Sequence, residues 1–414
     1  MWLNKPLKEI TEVDLQTLVN NQTGELKTLE YKQSLPRYDD TQKEKVNGKS
    51  VIEEKKEFLA DVSALANTAG GHLIVGVKEQ NGLPVELCGV QVKNVDAEKL
   101  RLNSLLQDGL SPRILGIEIE TVEVASKQTV AFIVYVPYSF LAPHRVEYKR
   151  HARFYARNSA GKYDMDVVEL RTAFTRTSTL AEYSRTFRAE RLRQISASHE
   201  IPAYIAPTLG KIVLHLIPLN AFDPAKQIDL RPLWRLEKSY LLQPFILYER
   251  KRVATDNLRY NFDGVASVIS WNEPNFPSSY TQVFRNGSIE VVDTSILYNE
   301  NNKRIFSGAA YEQRIVQAMN DYKELIHLLG VEFPFFIMLS FLDVKGYKLL
   351  HSHIYAERNE IDRNHLIVPE IMIENLEKDV AHMMKPLFDS IWNAIGQPSS
   401  RNYNDDGEFV PPAF

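Results

Sequence analysis

The chain has 414 residues, more than one ordinary hydrophobic core organises, so two domains are the default expectation. Apolar residues make up 44% and charged residues 25%, as in an ordinary folded protein, and no apolar run reaches the roughly 18 residues of a membrane span. The formal net charge of -4 counts against a wholly basic nucleic-acid binder but leaves room for a local basic stripe.

A single cysteine, Cys88, excludes an intramolecular disulfide and a cysteine-rich zinc site. The N-terminus lacks the apolar core of a signal peptide, and these features together favour a reducing, cytosolic setting.

Thr11-Glu-Val-Asp14 has the form of a helix cap, with Leu15, Leu18 and Val19 as the buried face and Gly24 beyond the helix end. Residues 28 to 32 then read as a strand. Its alternation places Glu30 and Lys32 on one face and Leu29 and Tyr31 on the other. Residues 36 to 57 are polar and charged, and read as a solvated loop or the approach to a helix. Phe58 to Ala69 follows as an Ala-rich helix capped by Gly70-Gly71, and Leu73 to Val77 as a buried strand.

A second helix is expected over Ala97 to Leu110, and strands over Glu118 to Val124, Thr129 to Val136 and Phe154 to Arg157. Val167 to Phe174 begins another helix, and 178 to 199 reads as a linking helix. Beyond Ile201-Pro202 the pattern changes. Lys211 to Ile217, Gly264 to Ile269, Ser288 to Val292 and Phe333 to Val344 read as strands. Tyr311 to Leu329 reads as a long helix, and Pro369 to Ile395 as mostly helical. The fold class is α+β twice over: a first domain at 1–177, a second of unassigned role at 200–395, and a mobile tail at 396–414.

Glu25 and Glu30 are carboxylates five residues apart, and Glu79 follows the strand after Gly70-Gly71. Gathered together, such acids suit a divalent cation beside a phosphodiester. Scattered, they are ordinary solvated glutamates. Lys32 could steady a phosphate or form a surface salt bridge. Between Arg145 and Arg193 twelve Lys/Arg face six acids, with Tyr148, Phe154, Tyr155 and Tyr163 interleaved. That composition suits a groove that tracks a nucleic-acid backbone through Lys149, Arg150, Arg153 and Arg157. It equally suits a helix face laced with ion pairs. No Gly-x-x-x-x-Gly-Lys-Ser/Thr run is present, which argues against an ATP-dependent regulator. His72, His144 and His151 receive no role, and Cys88 reads as inert core.

The run Gly24-Glu25 … Leu29-Glu30-Tyr31-Lys32, then Ala64-Leu-Ala-Asn67-Thr-Ala-Gly70-Gly71 … Gly76-Val77, resembles the Schlafen AlbA_2 domain. Residues 153 to 171 look like the closing segment of that family, so the resemblance covers about 12 to 175. It implies an acidic triad that cleaves tRNA or other structured RNA with Mg or Mn. By motif position Glu25 and Glu30 match the first two acids. The third falls on the pair Lys78-Glu79, where lysine replaces one acid, and Glu79 is the candidate. Lys32 would contact the scissile phosphate. The implied partner is RNA, most often tRNA, in a defence or stress role. A homo-oligomer would grip an L-shaped RNA better than one small domain. The alternative is a non-catalytic DNA- or RNA-binding regulator that keeps the fold, a reading that Lys78 favours.

Overall fold

The computed structural model describes residues 5–38, 48–223, 227–234, 239–245, 258–269, 279–300, 303–350, 359–374 and 379–411. The chain divides into two compact units, Met1–Thr179 and Leu180–Phe414. Both mix helices and strands. No helix among the described residues is long and apolar enough to cross a membrane.

In the first unit, α1 (Glu12–Asn20) opens with a capping box between Thr11 and Asp14. Strand β1 (Leu29–Lys32) leads through α2 (Val51–Thr68) to β2 (Gly71–Val75). The hairpin β3 (Val77–Gln80) and β4 (Leu83–Leu87) follows, then α3 (Val95–Gly109) and β5 (Leu110–Ser111). Next come β6 (Glu118–Val124), β7 (Thr129–Val136), β8 (Arg145–Tyr148), β9 (His151–Asn158) and β10 (Gly161–Asp164). One sheet has the order β1-β2-β7-β6 and a second the order β10-β9-β8-β5. β1 pairs with β2 in parallel, as a helical crossover requires, with Glu30 opposite Leu73 and Lys32 opposite Val75.

Period-two alternation sorts the first sheet into two faces. Leu29, Tyr31, Ile74, Ala131 and Ile133 pack with Leu15 and Leu18 of α1. Leu73, Val75, Phe132 and Val134 pack with Phe58, Leu59, Val62 and Leu65 of α2. Glu30 and Lys32 therefore face α2, as their spacing predicts.

The polar stretch at 36–57 departs from expectation in part. α2 begins at Val51, because Ser50 accepts from the Glu53 amide and Glu53 returns a bond to the Ser50 backbone. Residues 39–47 lie outside the described set. The stretch expected as a linking helix at 178–199 belongs to one helix, α4 (Val167–Ala197). Its later part is core of the second unit, where Leu192 and Ile195 pack with Val213, Tyr280 and Val292.

The second unit is built on an eight-stranded sheet whose centre runs Ser279–Phe284, Ile289–Asp293, Lys211–Pro218 and Phe335–Leu342. One face of that sheet packs on the helices Gly308–Leu328 and Val380–Asn393, through residues such as Leu214, Val291, Ile337, Ile315 and Phe388. Two details differ from expectation. Pro369–Ile395 is mostly helical, but the helix starts at Val380, capped by Asp379, and Ile371–Ile373 before it is a strand on the sheet. The described part of the tail, 396–411, is held in place. Ser400 and Asn402 are buried, and the Tyr403 hydroxyl donates to the Ala381 carbonyl at 2.6 Å. Residues 412–414 lie outside the described set.

Candidate active site

The Ala-Asn-Thr-x-Gly-Gly element is the scaffold of the site. Asn67 closes the end of α2. Its amide donates to the carbonyls of His144 (3.0 Å) and Tyr155 (2.8 Å), while its oxygen accepts from the His144 amide at 2.7 Å. Thr68 Oγ1 accepts from the Arg157 amide at 2.9 Å. Gly71, at φ 142°, runs so close to β1 that a Cβ would lie 2.1 Å from the Thr28 carbonyl oxygen. These contacts fix β1, α2 and β9 against one another.

Glu30 is 6% exposed. One of its carboxylate oxygens pairs with the ammonium of Lys32 and the other with the guanidinium of Arg157. Arg157, 2% exposed, also donates to the carbonyls of Leu26 (3.0 Å) and Leu29 (3.2 Å). A buried carboxylate and a buried guanidinium so paired satisfy each other; either alone would be a costly buried charge.

The Glu25 carboxyl lies near enough to Glu30 to be influenced by its charge. Its Oε1 accepts from the Tyr31 amide at 3.0 Å. Partial burial, and then the like charge of Glu30, push the Glu25 carboxyl up to about 7. Lys32 is subject to the opposite balance. Burial would lower its pKa, but the carboxylates of Asp61 and then Glu30 more than offset this and hold the ammonium above the ordinary lysine range. His72 and His144 are pushed down to about 4, chiefly by burial, and are neutral parts of the core.

The structure thus brings Glu25, Glu30 and Lys32 together and leaves Glu79 out. Glu79 is exposed on β3, and its Oε2 accepts from the Gly82 amide at 2.7 Å, closing its own turn. No three His, Cys, Asp or Glu side chains gather to hold a metal among the described residues. The expected triad is therefore corrected to a pair. Both oxygens of Glu30 are already met by Lys32 and Arg157, so a divalent cation would lean on Glu25, whose raised carboxyl has no cation of its own among the described ion pairs, with Glu30 beside it.

The basic stripe is corrected as well. Arg157 is buried against Glu30 and offers nothing to a phosphate. Arg153 pairs with Asp164, and Arg145 with Glu147 at 2.8 Å. Lys149 and Arg150 are exposed in the turn between β8 and β9, and Arg150 makes no ion pair among the described residues. Cys88 is half-buried rather than core, and its Sγ reaches the Gly76 carbonyl at 3.1 Å.

Sequence reasoning missed Asp61. It is 1% exposed on α2, with Oδ1 2.7 Å from the ammonium of Lys162 and Oδ2 3.2 Å from that of Lys32. The signal was a lone acid in the apolar run Phe58-Leu-Ala-Asp61-Val-Ser-Ala-Leu-Ala66.

Comparison with known proteins adds one identification. Among solved structures, the DIP2311 protein from Corynebacterium diphtheriae is similar at 20% identity, over 34% of this chain and 22% of that one, with a TM-score of 0.23. This chain thus spans less than a quarter of that protein, and a likeness at this level supports no argument. No curated protein matches. The family pattern described as Schlafen, AlbA_2 matches residues 25–166, which include Glu25, Glu30, Lys32, the Asn67 scaffold and Arg157. The chain therefore carries a Schlafen AlbA_2 domain at residues 25–166.

Proposed function

We propose that this domain is a Mg- or Mn-dependent endoribonuclease acting on tRNA or other structured RNA. The observation that carries this reading is a Glu25 carboxyl close enough to Glu30 to be raised by its charge, with Glu30 paired to the ammonium of Lys32. Glu25 and Glu30 would hold the cation, which supplies charge neutralisation at phosphate and an acidified water. Lys32 would meet a non-bridging oxygen of the scissile phosphate. Without the cation the Glu25 carboxyl is raised to about 7, so binding the cation would displace its proton near neutral pH. In the reaction one P–O bond of the backbone breaks; water gives its hydroxyl to phosphorus and its proton to the leaving oxygen. Structured RNA is gripped largely through shape and phosphate position, so no base-reading motif is required.

A second reading has its own observation. Both oxygens of Glu30 are engaged by cations, and Lys78 stands in the hairpin where the family resemblance places an acid. A nucleic-acid-binding regulator without catalysis would tolerate both. Incubating the full chain with total tRNA and Mn, against an EDTA control, separates the readings. Cleavage that EDTA abolishes supports the nuclease; binding without cleavage supports the regulator.

A further inference from the structure

Asp61 sits on α2 among Phe58, Leu59, Val62 and Leu65, all buried. An aspartate in such a place is destabilising unless cations meet it. Lys162 of β10 does so with full hydrogen-bond alignment at 2.7 Å. Lys32 does so at 3.2 Å without that alignment, and Asp61 Oδ2 has no hydrogen-bond donor. The result is a chain of alternating charge: Arg157, Glu30, Lys32, Asp61, Lys162. It ties β9, β1, α2 and β10 together.

A lysine paired with one carboxylate keeps the freedom of a flexible four-carbon stem. Lys32 is held from two sides, by Glu30 on its own strand and by Asp61 on the helix. It also lines a cavity of about 330 Å³ with Gln33, Arg37, Lys49, Glu54 and Glu57. Lys32 therefore borders open space while Glu30 and Asp61 hold its ammonium.

We propose that Asp61 is the positioning residue of this site, holding the Lys32 ammonium beside Glu30 at the edge of that cavity so that it meets a phosphate without rearranging. The role toward phosphate rests on the nuclease reading; the hold on Lys32 does not. Placement of this kind acts on turnover more than on binding.

The test uses the full chain with total tRNA and Mn. Asp61→Asn lowers kcat on the order of 100-fold with KM little changed. Lys32→Met does the same, and the double variant is no slower than Lys32→Met alone, because both changes remove one function. Independent, multiplying losses would overturn the proposal. A second readout needs no activity: native-state acetylation followed by mass spectrometry. Lys32 is slow to react in the wild type and several times faster in Asp61→Asn. Unchanged labelling of Lys32 overturns the proposal. Should the wild type cut no tRNA, the nuclease reading fails and the labelling alone decides on Asp61. If Asp61→Asn does not fold, the double variant Asp61→Asn/Lys162→Met, which removes the carboxylate together with its aligned cation, is read the same way.

Discussion

The guanidinium of Arg157 and the carboxylate of Glu30 form a buried ion pair, with 2% and 8% of their side-chain surfaces exposed. Removing one partner leaves the other charged and dry, at a cost of about 3–5 kcal/mol. Glu30→Gln is therefore expected to lower the midpoint of chemical denaturation markedly. Glu25→Gln, which removes a carboxylate opposed by the like charge of Glu30, is expected to leave stability unchanged or raised. Denaturant titration of the two variants checks this. It also shows that Glu25→Gln is the cleaner probe of activity.

Gly71 lets β2 approach β1 closely enough for parallel pairing. An added methyl would lie 2.1 Å from the Thr28 carbonyl oxygen, and it would sit at a φ of 142° that side chains rarely adopt. Gly71→Ala is expected to destabilise the first unit by at least about 2 kcal/mol, since neither strand can move without breaking the ladder. Thermal melting measures the loss. A variant as stable as the wild type would show that the close approach is not needed.

How far the sequence revealed this site depends on the range of each signal. The strand Leu29–Lys32 was legible because alternation is local: apolar Leu29 and Tyr31 had to face a core, so Glu30 and Lys32 had to face the other way. Arg157 was misread because composition cannot separate a buried arginine from an exposed one; its partner lies more than a hundred residues earlier. Glu79 was misread for a local reason, since the turn at Asn81-Gly82 offers its carboxylate a backbone amide at short range. Asp61 was overlooked because an aspartate in a helix is ordinarily solvated, and only the packing of α2 on β1 and β10 shows otherwise. In the second unit, the short strand Ile371–Ile373 was taken into a helix because three apolar residues carry no period.

The second unit holds a buried carboxyl that forms no ion pair among the described residues. Glu312 accepts from the indole of Trp392 at 2.6 Å and from the hydroxyl of Ser400 at 2.9 and 2.8 Å. Burial, only partly offset by these donors, pushes its carboxyl from 4.5 up to about 7. Because the folded value is the raised one, its contribution to stability is complete below about 4.5 and is lost as pH rises to about 7. The change is on the order of 3 kcal/mol. Denaturation curves across that window should show the decline, and Glu312→Gln should flatten it. An unchanged slope in the variant would assign the decline to other groups.

Any nucleic-acid surface along the basic stripe would be narrower than its composition implies. Arg150 is exposed without an ion pair among the described residues, whereas Arg153 is paired with Asp164. If RNA lies along this edge, Arg150→Glu should weaken binding across sequences and reduce the salt slope by about one. Arg157→Glu should unfold the domain instead, because it sets two carboxylates against each other in the interior. Filter binding of total tRNA over a salt series, with a melting curve for each variant, distinguishes the two effects.

The account rests on the Glu25–Glu30 pair gripping a divalent cation. Titrating the full chain with Mn²⁺, followed by electron paramagnetic resonance of the free ion, tests that claim most directly. The account predicts one bound ion per chain in the wild type, and loss of that site in Glu25→Gln with the fold intact. A wild type that leaves all the Mn²⁺ free, or a Glu25→Gln variant that binds it equally well, would contradict it.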